Sequence, residues 1–381
     1  MPAPSQDCCR PADGRTDRYR LSVQEYVTFR QQGLLVVRSL VAPHEVDELK
    51  SHTEDLMQGR LPEQRAPMAA RDPSRDGGVT VQRLEAPPAH LSPTEKAQYF
   101  LRIHMLHRQL QLHERYLLHP RVLDVLEALI GPDVLAMQTM LFLKPPGKPG
   151  QGWHQDSYYI PTHPDTLCGA WIAIDECDEQ NGAMWFATGS QHEPVYPPRD
   201  GYGFGDRDLA DIAQVAGVSD PDDRKNDLTR IADRYPQILV AARPGDVVFF
   251  GGHILHRSKK NWSADRFRRS FVSHYCNARS FTQWGADSAK FNDVHAAPTV
   301  DPATGMTNGS HILARGDTHL PFARPRFNTP CAALLTPEQR RQTRETAAAM
   351  MGDMDSGLMG ARRADPNVRH DHDRQPAGAA Y

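Results

Sequence analysis

The sequence predicts a mainly β domain with flanking helices, and three features predict it. From Gly131 onward, short apolar runs rich in β-branched and aromatic residues alternate with Pro, Gly and Asn. That is strand-and-turn text at the spacing of a β-sandwich or barrel. Ahead of Gly131 the apolar residues instead recur at helical spacing. The chain has 381 residues, 39% of them hydrophobic. It can therefore bury a sizeable core, as one large domain or two small ones.

The elements follow in order. Residues 1–18 are polar and expected to be disordered. SVQEYVTFRQQG predicts a helix with Ser22 as N-cap and Gly33 as its stop, followed by the strand LLVVRSL. APHEVDELKSHTEDLMQ predicts a second amphipathic helix. Residues 61–93, rich in Pro, Arg and Gly, read as a surface loop, and helical periodicity returns over 96–118 and 120–130. The strands then come from VLAMQTMLFLKPP, GWHQDSYYI, LCGAWIAIDEC, AMWFATGS, QILVAARPGDVVFFGG and FRRSFVSHY. Residues 195–236 form an insert, a candidate lid. A single domain over 19–335, a C-terminal helix over 336–351 and a disordered tail over 352–381 complete the expected organisation.

Charge and cysteine usage narrow the setting. The formal net charge is -3, which gives no basic face for nucleic acid or an anionic membrane. No stretch approaches the roughly 18 apolar residues of a membrane span, and the N-terminus lacks the apolar core of a secretory signal. Six scattered cysteines without a CxxC pair read as reduced thiols, so the expected location is cytoplasmic. Oligomeric state is not encoded in any motif.

One constellation carries chemistry. His154 and Asp156 stand one residue apart in strand-like text, where alternate residues share a face. They can hold a metal ion from one side. A second histidine would complete a two-histidine, one-carboxylate triad, a set that leaves positions open and suits iron(II). His253 and His256 in GGHILHRSKKNWS are the candidates, and on a regular strand they would face opposite ways. Arg268 lies twelve residues past His256, with Ser270 on the same face. A guanidinium there can take the distal carboxylate of a keto acid in bidentate fashion, and the hydroxyl can assist. Arg266 and Arg269 compete for that role.

The runs QTMLFLKPP, WHQDSYYIP, CGAWIAIDECDEQNGAMWFATGSQH, RPGDVVFFGGHILHRSKKNWS and FRRSFVSHY resemble the phytanoyl-CoA dioxygenase-like family of iron(II) and 2-oxoglutarate oxygenases. The likeness covers about residues 20–280, with most weight over 138–275. It implies a double-stranded β-helix, or cupin-like jelly roll, with helices on one sheet. It implies His154, Asp156 and His256 as iron ligands, His256 being favoured over His253 by the Ser258 and Asn261 that follow it. It implies Arg268 as the 2-oxoglutarate partner, with Gln138, Trp171 and Ser258 lining the co-substrate pocket. Iron(II), 2-oxoglutarate and dioxygen are the implied cofactors, and the partner is a small-molecule substrate. The chain departs from the pattern in two ways: a His256-to-Arg268 gap one residue longer than in some members, and an insert at 195–236 and a region after about 280 without counterpart.

Tyr158, Tyr159, Tyr202 and Phe204 are the expected aromatic lining of the substrate pocket. Trp171 reads equally as an ordinary core aromatic. His104, His107 and His113 read as packing residues on a helix, the Asn181-Gly182 pair as a turn, and the histidines of RHDHDR as solvated. A halogenase of the same fold would need a small residue in place of Asp156. A silent jelly-roll binder, or a zinc or cupin enzyme without a keto acid, would not need the Arg-x-Ser pair.

Overall fold

The computed structural model describes residues 16–67, 79–81, 84–196, 228–282, 299–300, 307–308, 311–318 and 323. All fall within the compact unit Met1–Leu335. Most of the expected lid lies outside the described residues, as do Tyr202, Phe204, the expected C-terminal helix and both expected disordered ends, apart from residues 16–18.

Helix α1 (Val23–Gln32) is closed at both ends by its own sequence. The Ser22 hydroxyl accepts from the Glu25 amide while the Glu25 carboxylate accepts from the Ser22 amide. Gly33, in the left-handed region at φ 82°, ends it and lets the chain turn into β1 (Leu34–Val37). Helix α2 (Pro43–Gln58) begins with a proline and buries Val46, Leu49, Thr53, Leu56 and Met57, the one-sided spacing of an amphipathic helix.

Between these helices and the next lies a difference from the helical reading of 96–118. After β2 (Val79–Val81) and the short α3 (Pro93–Ala97), Phe100–His104 is a strand, β3. It pairs with β2 and with β4 (Val134–Lys144), and that long-range pairing overrides the local pattern. Helical structure resumes with α4 (Gln111–Leu117) and α5 (Pro120–Ile130). The remaining strands are β5 (Gln151–His154), β6 (Thr162–His163), β7 (Cys168–Ala173), β8 (Met184–Ala187), β9 (Gln237–Val240), β10 (Val247–Gly251), β11 (His256–Ser258), β12 (Arg268–Asn277), β13 (Phe281–Thr282), β14 (Thr299–Val300), β15 (Thr307–Asn308) and β16 (Ile312–Arg315).

Two sheets face each other as a jelly roll. Among the described residues, the larger has the order β1-β10-β7-β12-β4-β3-β2, with β16 also on β4; the smaller is β5-β11-β8-β9. Side-chain alternation sorts the larger sheet into two faces. Ala170, Ile172, Val247, Phe249, Phe271, Leu141 and Leu143 pack beneath the helices. Trp171, Val248, Phe250, Val272 and Met140 point instead toward Met184 and Phe186 of the smaller sheet. One row of that inner face runs Val248, Trp171, Val272 and Met140 across four paired strands. The next runs Phe250, Gly169, His274 and Gln138. A Cβ on Gly169 would stand 2.4 Å from the Phe250 ring, so the glycine leaves that ring its place between the sheets.

His113 of α4 is fully buried under the larger sheet, its ring against Phe271 and His52. Burial, with His52 and His107 nearby, pushes its pKa well below the usual histidine range. The folded state therefore holds His113 neutral, while the unfolded chain takes up its proton below about pH 6.5. Stability is then lost as pH falls through that value, at up to about 1.4 kcal/mol per pH unit for this site. Urea midpoints at pH 7.5 and 5.5 should show a smaller drop for His113→Phe than for the wild type.

Candidate active site

The site is built where β5 and β11 pair. His154 ends β5, His256 begins β11, and the two are direct cross-strand partners. Their rings lie 4.1 Å apart. The pairing places both imidazoles on one side, with the His256 ring against Phe250 and Phe186.

Asp156 arrives differently from the expectation of one continuous strand. The strand stops at His154, and Asp156 opens a short helical turn, α6 (Asp156–Tyr159). The turn folds the carboxylate back over the two rings. Asp156 Oδ1 lies 3.6 Å from His154 Nε2 and 3.7 Å from His256 Nε2. One donor atom from each residue falls within a 4.8 Å cluster, a set that could hold a metal ion.

Hydrogen bonds prepare these donors. His154 Nδ1 lies 2.8 Å from Gly152 O, and His256 Nδ1 lies 3.1 Å from Ile254 O. A carbonyl can only accept, so each Nδ1 carries a hydrogen and each Nε2 is the ring nitrogen turned to the cluster. Burial, then the neighbouring His256, lowers the His154 pKa to about 3, which keeps its Nε2 unprotonated at neutral pH. Burial works against the charge on Asp156, but the neighbouring His256 and the hydrogen bond from His274 hold its carboxyl well below the usual range.

His274 is a site residue that sequence reasoning did not select. Its Nε2 lies 2.8 Å from Asp156 Oδ2 and its Nδ1 lies 2.9 Å from Gln138 Nε2. One neutral tautomer satisfies both contacts: Nε2–H donates to the carboxylate and Nδ1 accepts from the amide. Asp156 Oδ2 is thus engaged, and Oδ1 is left toward the two histidines. Alternation along β12 sets Arg268, Ser270, Val272 and His274 on one face, so the signal was present in the spacing.

The three arginines near β12 separate by their partners. Arg266 forms a two-point pair with Asp178, and Arg269 one with Asp175. Arg268 is 3% exposed, reaches Ser270 Oγ at 3.2 Å, and its Nε has no hydrogen-bond partner among the described residues. It lines the same cavity as the three clustered side chains. Gln138, Trp171, Ser258 and Tyr159 also line it, Trp171 belonging at once to the inner core. Ser270 is buried behind Arg268, and Tyr158 packs edge-on against Tyr159 at 5.0 Å. His253 is drawn away from the cluster by an ion pair to Asp165 and a 2.9 Å contact to Glu193 O.

Two further cavity residues, Arg102 and His104, come from β3. Both were hidden by the helical reading of that segment. Arg102 is 3% exposed, its guanidinium lies 5.6 Å from the Phe142 ring centroid, and its charge reaches His154. Arg268 lies 5.9 Å from the same centroid. The cavity therefore carries two buried cations beside a cluster able to take a metal.

Comparison with known proteins gives the family. The family model described as phytanoyl-CoA dioxygenase matches residues 29–270. The chain belongs to the phytanoyl-CoA dioxygenase family. It is accordingly an iron(II)- and 2-oxoglutarate-dependent dioxygenase, with the jelly-roll fold seen above. A peroxisomal phytanoyl-CoA dioxygenase of Bos taurus is 27% identical over 263 residues, covering 68% of this chain and 69% of the relative. A probable phytanoyl-CoA dioxygenase of Caenorhabditis elegans is 27% identical over 265 residues, covering 68% and 76%. The solved structure of the epimerase SnoN with Fe3+, alpha ketoglutarate and nogalamycin RO shares the fold at TM-score 0.50 and 17% identity, over 77% of this chain and 95% of that one. Among the described residues of this family member no helix is long and apolar enough to cross a membrane.

If His274 holds Asp156 in place, His274→Phe should weaken divalent metal binding by about 10–100-fold. Cobalt(II) titration would measure it, and an unchanged affinity would show that the contact does not orient the carboxylate.

Proposed function

We propose that this enzyme oxidises a small organic molecule at an iron(II) held by His154, Asp156 and His256, with 2-oxoglutarate converted to succinate and carbon dioxide. The observation that carries this reading is the convergence of the three donors within 4.8 Å in a cavity that also holds Arg268, which has no ion pair among the described residues. Two neutral imidazoles and one carboxylate leave coordination positions open, which fits iron(II) with a chelating keto acid. Iron(II), 2-oxoglutarate and dioxygen together supply the oxidising chemistry, and the residues around them position and protect it.

Arg268 takes the far carboxylate of 2-oxoglutarate. A buried guanidinium without an acidic partner is costly, and an incoming carboxylate offsets that cost. Arg102, near His154, is the cation available to a carboxylate at the metal end. Trp171, Met184, Phe250 and Val272 form the apolar walls that keep water from the site. Tyr159 and Ile160, just past Asp156, face the space left for substrate. Retention of Asp156 opposes halide chemistry, which would need that position vacated. The buried free thiols Cys168, Cys177 and Cys276 support a reducing, cytoplasmic setting.

Succinate release under air, with iron(II), 2-oxoglutarate and ascorbate, tests the reading. Asp156→Ala should abolish substrate-dependent succinate, and normal turnover by that variant would remove the proposed ligand set. Arg268→Ala should raise the KM for 2-oxoglutarate by about 10-fold or more, the loss of a charge-assisted bidentate contact. An unchanged KM would place the far carboxylate elsewhere.

A further inference from the structure

Arg268 does not stand alone. Its direct cross-strand partner on β4 is Lys144, a second cation, likewise 3% exposed. No carboxylate among the described residues reaches Lys144 Nζ within ion-pair distance. Its neighbours are all oxygens of uncharged groups: Lys259 O, Gly182 O at 3.4 Å and Ser258 Oγ at 3.1 Å. The charged and titratable groups packed around it are Arg268 and the Cys177 thiol, with Asp175 bound to Arg269 and Asp178 bound to Arg266. The turn at Gly182 is shaped for this contact. Its φ is +79°, and a Cβ there would lie 2.5 Å from Lys259 O and 2.9 Å from Lys144 Nζ.

We propose that Lys144 is a proton-linked positioning residue: it is neutral without 2-oxoglutarate and takes up a proton when the far carboxylate binds beside Arg268, turning the Ser258 hydroxyl toward that carboxylate. The inference rests on the placing of that carboxylate at Arg268.

The hydrogen-bond count supports both states. A neutral amine has two hydrogens and one lone pair. It donates to the carbonyls of Gly182 and Lys259 and accepts the hydroxyl hydrogen of Ser258. An ammonium has three hydrogens and no lone pair, so it donates to all three oxygens. The Ser258 hydrogen must then leave Nζ, and Ser258 lines the cavity. The proton comes from solvent; no covalent bond other than N–H is made. A buried cation next to Arg268 without an anion favours the neutral amine, and a carboxylate brought to Arg268 favours the ammonium. Burial and the adjacent Arg268 also push the Lys144 pKa well below its ordinary value.

Calorimetric titration of the metal-loaded, oxygen-free enzyme with 2-oxoglutarate at pH 7.5, in buffers of different ionisation enthalpy, counts the protons exchanged. The wild type should take up about one proton per 2-oxoglutarate bound, relative to Lys144→Met. Lys144→Arg, permanently charged, should bind without that uptake. Buffer-independent heats in the wild type, or equal uptake by Lys144→Met, would overturn the proposal while leaving the Arg268 reading intact. No binding heat in the wild type would overturn both.

Discussion

The register between β5 and β11 is the constraint on which the rest of the site depends. His154 and His256 are a hundred residues apart in the chain, yet they are direct partners across a strand pair only a few residues long. A one-residue slip would send one ring to the outer face of the smaller sheet. The outer face shows what is avoided there, since Arg257 lies over the Trp153 and Trp185 rings on that side. The register is reinforced by β8, which pairs with β11 from the other edge and sets Phe186 opposite His256. The inner row of aromatic and aliphatic side chains on the larger sheet then closes the space beneath the two rings.

Around this pair the structure places charge in an ordered way. On the helix-facing and outer surfaces, cations meet carboxylates: Arg269 with Asp175, Arg266 with Asp178, Arg315 with Asp124. Inside the jelly roll the pattern is reversed. Arg102 and Arg268 are buried with no carboxylate paired to them among the ion pairs of the described residues, and Asp156 is shared among three imidazoles. A folded chain tolerates buried, unpaired cations where a ligand completes the balance. The interior is thus arranged for an anionic occupant next to a metal.

Much of this was legible in the sequence, and the parts that were not share one cause. The helix-strand order at the N-terminus followed from Ser22 and Gly33, and the strands after Gly131 followed from alternation and turn residues. His154, Asp156 and Arg268 were picked out by spacing, and His256 over His253 by the family resemblance, although Asp156 reaches its place through a helical turn rather than a strand face. Arg102 was missed because FLRIH lies among helix-like residues and becomes a strand only through pairing with β4. Lys144 was passed over as the end of a strand before two prolines. Its burial comes from Arg268, Gly182 and Lys259, all far along the chain. His274 could have been reached by counting in twos from Arg268. Local pattern reveals an element, whereas a buried polar contact belongs to the pairing of distant elements.

The proposed site binds one metal ion through His154, Asp156 and His256, with Arg268 facing the co-substrate. A crystal structure of the oxygen-free enzyme with iron(II) and 2-oxoglutarate tests it most directly, using anomalous scattering to locate the ion. One peak is expected, bonded to His154 Nε2, Asp156 Oδ1 and His256 Nε2, with the far carboxylate on the Arg268 guanidinium. An ion bound elsewhere, or a keto acid lying away from Arg268, would contradict it.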